Sequence, residues 1–104
     1  MKRIYYGSLT IDVSDETAKI LLQLAEESFG NIRRSGQSAF AVGYAEQVTV
    51  TGYLGDAENI TDVTLVLSNG VSLAVAPVAS KYDRPNDEMT LPQLEAQLRE
   101  YHSN

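Results

Sequence analysis

The sequence predicts a single α+β domain, a mainly antiparallel sheet of about five strands with one helix packed on a face and a C-terminal helix. Three features predict it. Apolar residues recur at every second position in several short stretches, the period of half-buried strands. Two other stretches carry apolar residues at helical spacing. The links between the later strands are too short for crossovers, so neighbours must run antiparallel. The 104 residues suit one domain, and the expected order is strand, helix, four strands, helix.

From Tyr5 to Val13 the apolar residues Tyr5, Leu9, Ile11 and Val13 alternate with Ser8, Thr10 and Asp12, interrupted by Gly7, which reads as one strand. Ser14 then offers a helix N-cap, and Asp15 and Glu16 sit where the positive end of the helix dipole favours them. Ala18, Leu21, Leu22, Ala25 and Phe29 form the apolar stripe of this helix, and Gly30 is its expected left-handed C-cap. "SAFAVGY" (38–44) and "QVTVTGYL" (47–54) read as the next two strands. "VTLVLSNGVSLAV" reads as a hairpin, because Asn69-Gly70 tolerates the positive φ angles of a type I′ turn. Pro77 ends it. The polar stretch 77–89 is expected to be a surface linker to the last helix, whose apolar face is Leu91, Leu94, Leu98 and Tyr101. Thr90 with Gln93 has the spacing of a capping box, and Pro92 suits the first turn.

Hydrophobic residues make up 43% of the chain, enough for one core. Eight basic against fourteen acidic residues give a formal charge of -6. That sign repels phosphate backbones and anionic membrane surfaces, so neither nucleic acid nor membrane is an expected partner. Without cysteine there is no thiolate chemistry, no thiolate-bound zinc and no disulfide. The opening residues alternate and build no apolar block, so they read as neither signal peptide nor anchor, and a soluble cytoplasmic protein is expected.

Candidate chemistry is sparse. "GNIRRSGQS" sets Arg33 and Arg34 between glycines, and two readings stand. Phosphate loops present backbone N–H groups at a helix N-terminus, whereas these arginines follow a helix and would relieve its negative end and Glu26 and Glu27. The alternative is an anion or small-ligand contact. Asp56, Glu58, Asn59 and Asp62 suit a hard cation by type, but the segment lacks the glycine and glutamate of an EF-hand loop. Asp83, Asp87 and Glu88 read as a solvated linker. The single histidine, His102, lies third from the end, and no Gly-x-Ser-x-Gly or His-Glu-x-x-His motif occurs. No catalytic residue, metal or cofactor is therefore expected.

The sequence thus favours a small acidic, non-enzymatic protein-interaction module. A strand such as 38–44 or 47–54, free of Lys and Pro, would self-associate at a sheet edge to give a homodimer. Tyr44 and Tyr53 would supply its apolar area and Thr49 and Thr51 its rim. Net charge, or a helix covering the edge, would oppose this.

Overall fold

In the computed structural model, which describes residues 1–34, 45–55, 57–68, 71–79 and 81–102, the stretch read as one strand is a hairpin. β1 (Lys2–Tyr6) turns through Gly7 and Ser8 into β2 (Leu9–Val13), with Tyr6 opposite Leu9. Gly7 has φ +59°, a conformation that costs any L side chain. A two-residue loop reverses the parity of the alternation. Ile4 and Tyr6 face the core before the turn, Leu9, Ile11 and Val13 after it, and Tyr5 is left 43% exposed.

The chain continues through α1 (Asp15–Arg34), β3 (Ala45–Leu54), β4 (Ile60–Ser68), β5 (Leu73–Pro77) and α2 (Leu91–His102). Among the described residues, two helices and one antiparallel five-stranded sheet make the α+β domain that the sequence predicts. The order differs: two strands precede α1 where one was expected, and the strand expected at 38–44 lies outside the described residues.

The pairing also differs. The sheet runs β4-β3-β2-β1-β5, so β4 and β5 occupy opposite edges and do not form the hairpin read from Asn69-Gly70. Val71 N–H does close a turn onto the Ser68 carbonyl at 3.3 Å, but the chain then crosses to β1, where Leu73 opposes Tyr6 and Pro77 opposes Lys2. This requires curvature. Five strands spaced about 4.8 Å apart would set flat edges ~19 Å apart. Five residue steps from Ser68 to Leu73 span at most ~18 Å, and a turn shortens that. The sheet therefore curls until its edges approach. Tyr6 closes the gap from β1: its hydroxyl donates to the Val66 carbonyl and accepts from Ser68 N–H at 3.0 Å.

The concave face carries Ile4, Ile11, Val13, Val48, Val50, Leu65 and Leu67, and α1 covers it with Ala18, Leu21, Leu24 and Ala25. Leu24 is fully buried and Leu22 is 37% exposed, so the buried stripe runs one side of the one expected. Gly30 does not end α1; the helix continues through it to Arg34. α2 packs against α1 and adds Leu94 to the core. Each such buried aliphatic side chain stabilises the fold by ~1.5–3 kcal/mol. Gly52 lets β3 cross close to β2, since a Cβ there would lie 2.2 Å from the Asp12 carbonyl oxygen.

Candidate functional site

The segment after β5 is not all surface. Pro85 and Asp87 are fully buried, and Asp87 reaches the start of α1. Ser14 caps α1 by accepting Thr17 N–H at 3.2 Å, and its single hydroxyl proton goes to Asp87. Thr17 Oγ1 donates to the same carboxylate at 2.7 Å, and Arg84 reaches both Asp87 and Glu16 at 3.2 Å. Burial opposes ionisation of Asp87, but the two hydroxyls and the guanidinium outweigh it and hold the carboxyl below its ordinary value. The Asp87 carbonyl also accepts Leu91 N–H at 2.8 Å, which starts α2. One buried residue thus joins the N-terminal ends of both helices. Its oxygens are occupied within the chain, and the negative side chains of Asp15 and Glu16 beside it discourage an anion. This cluster is structural.

Thr51 is buried and bonded to Asp62 at 2.7 Å and to Thr90 at 2.9 Å. Thr90 thus spends its hydroxyl on β3. Tyr53 is only 6% exposed; its hydroxyl donates to the Asp83 carbonyl at 2.9 Å, and its ring stacks on Tyr82 with centroids 4.7 Å apart. Thr49 pairs with Thr64 across β3 and β4, their hydroxyls 3.0 Å apart. Tyr44 and Asp56 lie outside the described residues. Arg33 and Arg34 are the last two residues of α1, at the negative end of its dipole, where a cation is favoured and an anion is not. Glu58 and Asn59 are exposed, as are Asp83 and Glu88, while His102 is the last residue of α2. Of the interface residues named from sequence, Thr51 and Tyr53 are therefore engaged by the segment folded over β3, and Thr49 by β4.

β3 does not lie at an edge. It pairs with β4 from Ala45 to Tyr53 and with β2 at Tyr53 and Leu54. Where it overhangs β2, Gln97 of α2 donates to the Gln47 carbonyl at 2.9 Å and Tyr101 donates to Glu46 at 2.6 Å.

Among the described residues β4 is an outer strand of the sheet. Val66 C=O and Ser68 N–H meet Tyr6 outside the β3 ladder, so the even-numbered residues of β4 direct their backbone groups away from β3. Among the described residues no strand pairs with β4 on that side. The N–H and C=O of Ile60, Asp62 and Thr64 and the N–H of Val66 therefore line an open edge that Tyr6 terminates. The same residues point their side chains to the convex face, where Ile60 is 44% and Val66 48% exposed. Both stand out of phase with the inward Val63, Leu65 and Leu67, and that phase break was the signal available in the sequence.

No family model, curated protein or solved structure matches this chain. Among the described residues no helix is long and apolar enough to cross a membrane.

Proposed function

We propose that this protein is a small acidic, non-enzymatic interaction module that takes up an extended segment of a protein partner along β4. The observation that carries this reading is the ladder from Ile60 to Val66, open among the described residues and flanked by two exposed aliphatic side chains. Strand addition draws affinity from main-chain hydrogen bonds and specificity from alternate side chains, and this edge offers both. Natural edges are blunted by Lys, Pro or bulges; β4 contains no Lys and no Pro. Its one charge, Asp62, is drawn onto β3 by Thr51 and away from the ladder.

The test uses a soluble peptide of the β4 sequence, Ile60 to Ser68, added to the dilute protein while amide hydrogen exchange is followed. The expected result is slower exchange at Asp62 and Thr64 with little change in β1 and β2. Unchanged exchange at those amides, or amides already protected in the dilute chain, would overturn the reading.

A further inference from the structure

We infer that the strand β4 accepts is β4 of a second copy, paired antiparallel about a two-fold axis at Val63. The inference rests on the open-edge reading above and adds the partner and the register. In an antiparallel pair of identical strands, residue numbers opposite each other have a constant sum. Only registers that place outward-bonding residues opposite one another form a ladder, and in β4 those are the even-numbered ones. The free edge begins at Ile60 and ends where Tyr6 takes Val66 C=O, so its midpoint is Val63.

A two-fold at that midpoint maps the free edge onto itself. Asp62 then faces Thr64 of the other copy in a doubly hydrogen-bonded pair, and Ile60 faces Val66, whose N–H meets the Ile60 carbonyl while its own carbonyl stays with Tyr6. On the convex face this sets the two exposed aliphatic side chains against each other twice and opposes no two like charges. The neighbouring registers are worse. A centre at Asp62 opposes two carboxylates directly, and a centre at Thr64 needs Ser68 N–H, which Tyr6 already holds.

The formal charge of -6 works against any self-association. In the Val63 register the two Asp62 residues lie two residues along and one strand across, roughly 8 Å apart. That is about one Debye length at physiological salt, and Thr51 holds each carboxylate on its own sheet.

The absence of cysteine gives a clean test. Val63 and its copy would form a non-hydrogen-bonded pair with Cα atoms about 4.5 Å apart, within the ~4.4–6.8 Å that a disulfide spans. Under mild oxidation V63C is expected to cross-link into a covalent dimer and T64C to remain monomeric. Wild type is expected to sediment at twice the chain mass as concentration rises from low micromolar to near millimolar. T64P, which removes an N–H facing the free edge and none in the β3 ladder, is expected to dimerise at least tenfold more weakly; should it misfold, the cysteine pair still decides.

Cross-linking of T64C instead of V63C overturns the register. A monomer mass throughout, with neither variant cross-linked, overturns the second copy as partner. In that case the peptide experiment separates the two ideas: protection of Asp62 and Thr64 leaves the open edge standing with a different partner, and no protection removes both.

Discussion

Replacing Asp87 with Ala tests whether one buried carboxylate holds the two helix starts together. The side chain is 2% exposed and receives the hydroxyls of Ser14 and Thr17, themselves buried. A hydrogen bond to a charged group contributes ~1.5–3 kcal/mol, so losing two removes ~3–6. Relief of the buried charge returns part of that, and Arg84, about half exposed, keeps Glu16 and adds little. The net cost is ~3–5 kcal/mol, typical of breaking a buried charged network. For a domain of this size, at ~4–8 °C per kcal/mol, the Tm of D87A should fall by roughly 12–40 °C. D87N, which keeps the shape and can still accept both hydroxyls on its carbonyl oxygen but turns its NH2 toward the Arg84 guanidinium, should fall less. D83A should change nothing measurable, because Tyr53 uses only the Asp83 backbone carbonyl. Scanning calorimetry at neutral pH reads all three, and a D87A shift under 5 °C would refute the reasoning. The acid limb gives a second reading. The folded pKa of Asp87 lies below its unfolded value, so this stabilisation is complete above the unfolded value of about 4. It is lost as pH falls through the folded pKa. D87N should therefore show a shallower loss of stability below about pH 4 than wild type.

Gly52→Ala should lower stability by upwards of ~3 kcal/mol, because its Cβ would meet the Asp12 carbonyl oxygen at 2.2 Å and neither backbone can yield without breaking the β2–β3 pairing. Urea unfolding checks it: a lower midpoint at unchanged slope is expected, and a wild-type midpoint contradicts the close approach. Tyr6→Phe keeps the ring but removes the hydroxyl bridging β1 to Val66 and Ser68, at a cost of ~1–1.5 kcal/mol. Amide exchange at Ser68 should accelerate more than at any core position, and an unaltered Ser68 rate would show that the curl does not depend on this contact.

The fold class was legible because it depends on local periods, and what was misread depends on contacts between distant segments. The face of α2 was legible in Leu94, Leu98 and Tyr101, which reach the core, while Leu91 is half-buried at the start of the helix. Gly30 is a good terminator, yet a glycine inside a helix costs only ~1 kcal/mol, and α1 runs past it. The first hairpin was hidden because Tyr5 happens to match the phase of Leu9, Ile11 and Val13; the two-residue Gly7-Ser8 turn was the available signal. Nothing local decides that β5 pairs with β1 and not with β4. The same holds for Asp87: "RPNDE" is polar throughout, and only the docking of that segment on Ser14 and Thr17 sets one of its carboxylates apart from Asp83 and Glu88.

The way the sheet treats its borders gives the β4 reading its weight. A rolled sheet that stops short of closure has two edges, and unpaired backbone invites indiscriminate pairing. Here β5 is short and ends in Pro77. The overhang of β3 is met by Gln97 and Tyr101 from α2. The last residues of β4 are met by Tyr6. Each device sits where the ladder would otherwise run out, and each uses a side chain that the core does not require for its polar end. Had β4 simply been left over by an imperfect closure, its convex side chains would be expected to be charged, as on other solvated strands. They are Ile60, Asp62, Thr64 and Val66, with the one charge tethered inward by Thr51. A strand protected at one end, with a single tethered charge along its ladder and apolar residues at both ends, is the ground for proposing a contact surface there, and its symmetry about Val63 is the ground for proposing a second copy as the partner.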